Sequence, residues 1–357
     1  MCIKRHFDEC SLGTTIRIRR LADPRSRKNA QDLIRRGYSA PANPSPFCRL
    51  ASGKFMRSRQ AFFVLVVFGI FWTQTATAQP RFGPQGVEAE PGRMQQWLVP
   101  SPDPDTAAHA LLFRPPGDGP FPLALIAHAS TQNVLRRAQM RQPEYRALAA
   151  SLVARGFAVL VPERLGHGAT GGRYLEDQGG CDEADYSRSG RATAEEIAAA
   201  LNYLRGQSFA RPGGTVIIGH SAGAWGALAL SGESPQGVAA IIAFAPGRGG
   251  HANDFPNQVC APHTLISSAA EFGKAARVPV TWLVAANDSY FSPALSRQLA
   301  DAFGGGGGQV EFRVLAASGS EGHWLAETEA GVKSAAAELD RALKPKTPIA
   351  VTAAKKR

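Results

Sequence analysis

The chain has 357 residues, room for two domains, and a formal charge of +11 from 40 Lys and Arg against 29 Asp and Glu. That charge is unevenly placed: residues 1–55 carry 12 basic and 4 acidic side chains, whereas residues 79–357 hold 26 basic and 25 acidic ones. A nearly neutral body excludes a nucleic-acid partner held by a basic field.

Residues 1–55 lack sustained apolar periodicity and include the loop-like stretch Ser39-Ala40-Pro41-Ala42-Asn43-Pro44-Ser45-Pro46. They are expected to be disordered and to precede the natural start at Met56. Residues 56–78 then read as a signal peptide: the basic Met56-Arg57-Ser58-Arg59-Gln60, an apolar run from Ala61 to Trp72, and Ala76-Thr77-Ala78 before Gln79. The run falls short of the ~20 apolar residues of a membrane helix, so no stable span is expected after cleavage. The expected location is periplasmic or secreted. Cys2, Cys10 and Cys48 lie upstream, leaving Cys181 and Cys260 in the exported part. In an oxidising compartment these two are expected to form a disulfide, with a pair of buried free thiols as the alternative.

From residue 94 short apolar runs alternate with helical patterns, the rhythm of an α/β sheet. Strands are expected at Met94–Val99, His109–Arg114, Leu123–His128, Phe157–Pro162, Thr215–Gly219, Val238–Ala245, Val278–Ala285 and Val310–Leu315. Helices are expected at Pro143–Arg155, Ala192–Arg205, Ala222–Leu230, Pro293–Phe303 and Leu325–Leu343. The near-continuous apolar strands imply a mostly parallel sheet of about eight strands with helices on both faces. Residues 164–190 and 247–277 break the alternation and read as loops at the carboxyl edge of that sheet, where ligands bind in open α/β folds. Glycines 304–308 read as a flexible connection, and residues 344–357 as a disordered basic tail.

Gly219-His220-Ser221-Ala222-Gly223 follows an apolar strand pattern and opens a helical one. A tight strand-to-helix turn with small neighbours lifts a serine hydroxyl clear of the sheet, and the helix start supplies the Ala222 N–H for a developing oxyanion. A serine needs a base and the base an orienting acid, in the chain order serine, acid, histidine. Downstream, Asp288 ends a buried strand and His323 follows the last one, so Ser221, Asp288 and His323 are the expected triad, with Asp254 the rival acid. His220 is expected to pack beside the elbow. The Ser130 N–H, after the strand ending at His128, is the expected second oxyanion donor; Arg164 and His167 are candidate substrate contacts, with a turn built around Gly166, Gly168, Gly171 and Gly172 the plainer account of that segment.

From about residue 94 to 343 the chain resembles the α/β hydrolases grouped with dienelactone hydrolase. The resemblance is carried by His128-Ala129-Ser130, Arg155-Gly156-Phe157-Ala158-Val159-Leu160-Val161-Pro162, Gly166-His167-Gly168, the serine elbow, Asn287-Asp288 and Gly322-His323. It implies an α/β-hydrolase domain over residues 79–343 that cleaves a small-molecule ester or lactone without a cofactor. Two departures stand out: Ser221 replaces the type enzyme's cysteine, and Ala129 replaces the usual glycine. A peptidase or acyltransferase with the same triad, or a binding protein that kept the fold without the chemistry, are the competing readings.

Overall fold

Apolar runs without alternation become strands covered on both faces. All residues of β4 (Leu123–Ala127), β5 (Ala158–Pro162), β6 (Thr215–His220) and β8 (Val280–Ala285) are buried, as parallel strands between two helical layers must be. The computed structural model describes residues 82–344 apart from Ser234. These residues fall within one of the two units into which the chain divides, Gln74–Arg357. The expected extension (1–55), signal segment (56–78) and tail beyond Lys344 lie outside the described residues. No helix among the described residues is long and apolar enough to cross a membrane.

Among the described residues nine strands form one sheet, in the order β1 (Gly83–Pro84), β2 (Gln95–Val99), β3 (Ala108–Phe113), β5, β4, β6, β7 (Val238–Phe244), β8, β9 (Val310–Leu315). Pairing is antiparallel from β1 to β5 and parallel from β5 to β9. The strand beyond the expected eight is β1, whose two residues are too few to show a period. After β4 the chain forms β5 on one side and returns to pair β6 on the other, with Ala127 opposite Gly219. Such a reversal opens a crevice at the carboxyl ends of the central strands.

Alternate residues of each strand serve opposite layers. Leu123, Leu125 and Ala127 pack with α3 (Tyr186–Arg205), α4 (Ala222–Ser231), α5 (Pro262–Ala275) and α6 (Pro293–Gly305). Ala124 and Ile126 pack with α2 (Arg146–Val153), α7 (Glu329–Ser334) and α8 (Ala336–Leu343). All ten residues of α4 are buried. Its Gly226 lies where a Cβ would strike the Thr193 side chain of α3, so that side chain packs directly on the α4 backbone.

Several expectations need correction. The segment 247–277 contains α5, and α3 begins six residues early because the Asp185 carboxylate caps it by accepting the Arg188 N–H at 2.8 Å. A short helix, α1 (Val134–Ala138), was not expected. The helix expected over 325–343 is a 3₁₀ turn at Gly322–Ala326 followed by α7 and α8. The glycine run is packed rather than loose: α6 continues through Gly305, and a Cβ at Gly306 or Gly308 would meet the Ala270 carbonyl or the Phe303 ring.

Candidate active site

Where β6 passes into α4, Ser221 has φ 54° and ψ −117°, a left-handed conformation that a side chain adopts only when its surroundings enforce it. The Phe244 carbonyl holds the Ser221 N–H at 2.9 Å, and the Ser221 carbonyl accepts the Trp225 N–H at 2.9 Å. The flanking glycines are dictated by space. A Cβ at Gly219 would meet the Ala224 backbone, and one at Gly223 would meet the carbonyls of Ala127 and His128 at the end of β4. The Ala222 N–H, at the positive end of α4, has no hydrogen-bond partner among the described residues.

β8 ends at Ala285 and turns through Asp288, while β9 leads to the turn that carries His323. The structure brings these two together: Asp288 Oδ2 accepts from His323 Nδ1 at 3.1 Å, and both residues are buried. Asp288 Oδ1 takes the N–H groups of Tyr290 at 2.8 Å and Phe291 at 2.9 Å, which fixes the carboxylate. Burial lowers the His323 pKa below its usual value, and the Asp288 hydrogen bond and charge oppose this. The Tyr290 ring stacks on the imidazole with centroids 4.3 Å apart and planes at 20°. Ser221, Ala222, Ser130 and His323 line one cavity of about 1110 Å³. The Ser221 hydroxyl makes no hydrogen bond to a described residue; such contacts often tighten only when substrate binds.

Asp254 stands elsewhere on that cavity wall, exposed and paired with Arg136 at 3.1 Å. Cys181 and Cys260 form a disulfide beside the cavity, joining the loop before α3 to the loop before α5.

Arg164 and His167, the candidate substrate contacts, do not line the cavity; both are buried in the turn in which Gly166, Gly168, Gly171 and Gly172 take positive φ, the plainer account of that segment. The Arg164 guanidinium pairs with Glu176 and donates to the His128 carbonyl at 2.8 Å, and the Arg164 backbone N–H donates to His128 Nε2 at 3.0 Å. His128 must therefore carry its proton on Nδ1, which donates to the Ala129 carbonyl at 2.6 Å. His167 Nδ1 faces the carbonyls of Arg164 and Leu165, so its Nε2 accepts the Ser130 hydroxyl proton at 2.7 Å. Burial lowers both histidines, His167 to about 4, so these two rings are neutral struts for the 128–130 loop. Glu176 also pairs with Arg248, a buried bridge that no local pattern announces.

Tyr145 is a second contributor that sequence reasoning missed. Its hydroxyl accepts the Ala129 N–H at 3.0 Å and lies 2.9 Å from His220 Nδ1 and 3.2 Å from Glu327 Oε1. His220 packs beside the elbow as expected, with Nε2 2.8 Å from the His323 carbonyl. With Ala129 so engaged, the Ser130 N–H is without a partner among the described residues.

The sheet, the elbow and the cavity at the strand reversal are arranged as in an α/β-hydrolase fold. The serine aminopeptidase (S33) family model matches residues 139–270, which include the elbow. The fold is similar to that of an esterase from Pyrococcus furiosus, with a TM-score of 0.51 at 13% identity, covering 74% of this chain and 98% of that one. It is also similar to a puromycin-hydrolyzing peptidase from Mycobacterium tuberculosis, with a TM-score of 0.50 at 18% identity, covering 71% of this chain and 40% of that one. No curated protein matches the sequence. The chain has the fold of the α/β hydrolases.

Proposed function

We propose that the protein is an exported serine esterase, cleaving a carboxylic ester or lactone through an acyl-enzyme on Ser221. His323 takes the Ser221 proton as the hydroxyl attacks the carbonyl, gives it to the leaving alcohol, and then activates water for deacylation. Asp288 holds the imidazole in the required tautomer and stabilises the imidazolium. The Ala222 and Ser130 N–H groups receive the oxyanion. The observation that carries this reading is the Asp288–His323 pair, whose imidazole lines the same cavity as a serine held at positive φ beside an unpartnered helix-start N–H. The ester or lactone preference and the likeness to dienelactone hydrolases rest on the sequence motifs. Export rests on the pattern of residues 56–78, and amino-terminal sequencing of the mature protein is expected to begin near Gln79; a mature chain retaining Cys48 would refute it.

A fluorophosphonate probe is expected to label Ser221, and p-nitrophenyl esters of graded acyl length or simple lactones are expected to be hydrolysed. Absence of labelling would favour a non-catalytic binding protein. The family match to a serine aminopeptidase favours one second reading, hydrolysis of an aminoacyl amide. Turnover of aminoacyl p-nitroanilides above the esters would replace the first reading with it.

A further inference from the structure

The groups around Tyr145 are linked in series from the loop after β4 to the turn that carries His323. The His323 carbonyl can only accept, so His220 Nε2 carries the proton it shares at 2.8 Å. His220 Nδ1 lies 2.9 Å from the Tyr145 oxygen and 3.2 Å from Glu327 Oε1. That oxygen already accepts from the Ala129 N–H at 3.0 Å, so its own proton points to His220 or, at 3.2 Å, to Glu327. Burial raises the phenol pKa well above its usual value, so this proton is retained. The chain starts in the loop after β4, passes the residue before Ser221, and ends on the backbone of His323. Tyr145 reaches this place from the start of α2 in a left-handed conformation, φ 47° and ψ 39°, with its side chain buried. A non-glycine residue holds such a conformation only where its surroundings impose it. Of the two loop N–H groups, Tyr145 consumes Ala129's and leaves that of Ser130 free.

We propose that Tyr145 is the positioning residue for the second oxyanion donor. Its hydroxyl anchors Ala129 so that the Ser130 N–H is presented to the cavity, and it couples that loop to the elbow and to the turn that carries His323. The inference rests on the esterase reading of Ser221.

Tyr145→Phe removes one oxygen and keeps the ring. On a p-nitrophenyl ester it is expected to lower kcat by roughly 10- to 100-fold, below the loss for deleting an oxyanion donor outright, with KM within about twofold. Preference for an ester over the matching thionoester, whose sulfur accepts hydrogen bonds poorly, is expected to fall with it. A purely structural role would lower the melting temperature without moving that ratio. His220→Asn breaks the same chain at its next link and is expected to reduce the ratio too, which covers the case of a misfolded Tyr145→Phe. Wild-type kcat and ester preference in a folded variant would overturn the proposal while the esterase reading stood. A wild-type protein with neither turnover nor labelling would overturn both.

Discussion

At the scale of single residues the proposed roles predict a ranking. Ser221 supplies the attacking oxygen and His323 moves every proton, so Ser221→Ala and His323→Ala are expected to bring ester turnover to near background. Asp288→Asn should cost less, by analogy with a serine protease in which losing the acid costs on the order of 10⁴ in turnover against about 10⁶ for the nucleophile or base. Asp254→Asn should be mild, since its exposed carboxylate only pairs with Arg136. If Asp254→Asn abolished turnover and Asp288→Asn spared it, the acid would be misassigned. The pH profile gives a second check. Burial holds His323 below its ordinary 6.5, and only the neutral imidazole can accept a proton, so the acid limb of kcat/KM is expected to have its midpoint below 6.5. Removing the charge of Asp288, which raises the His323 pKa, should move that midpoint lower still. The places of Ser221 at the turn into α4 and of Asp288 beside His323 were legible in the sequence because strand ends and chain order select them. Arg164 was not, because its partner Glu176 is twelve residues away through a loop whose path no periodicity reports.

Among the elements, the junction of the loop after β5 with α3 concentrates buried charge. Glu176 sits between Arg164 and Arg248, whose charges hold its pKa well below the usual range despite burial. Glu196 on α3 accepts the Leu165 N–H at 2.7 Å, and burial, followed by the nearby Glu176 carboxylate, pushes its pKa up to about 8. A carboxyl whose folded pKa exceeds its unfolded value contributes stability that is fully present below about 4.5 and is lost as pH rises through about 8. Glu196→Gln keeps the acceptor and cannot ionise. Its unfolding free energy relative to wild type is therefore expected to rise between pH 5 and pH 9 in urea titrations. A difference that stayed flat would mean that Glu196 ionises at no cost. The strands were readable because parallel strands buried on both faces are unbroken apolar runs. The amphipathic α5 escaped because it follows Gly- and Asn-rich chain and starts at Ala261, in a left-handed conformation with no side-chain cap to mark the boundary.

For the molecule as a whole, the Cys181–Cys260 disulfide closes a loop of 78 residues containing α3, β6, α4 and β7. In the chain-entropy model a loop of that length is worth about 4 kcal/mol, less any native strain. The Cys181→Ser/Cys260→Ser variant is expected to lose about that much unfolding free energy, read as a lower denaturant midpoint, and reductant should shift the wild type to the same midpoint. A midpoint indifferent to both would show that the bond adds nothing. The pairing could be anticipated by counting cysteines, but its place beside the cavity depends on how two irregular loops fold over the sheet. The burial of α4 has a further consequence, for the timing of motion. Its amides are released to solvent only when the sheet and α3 separate, so their hydrogen exchange should track global unfolding. The exposed loops at the cavity mouth, such as the one carrying Asp254, can open at far lower cost. Substrate can therefore come and go through openings that leave the backbone of Ser221 undisturbed.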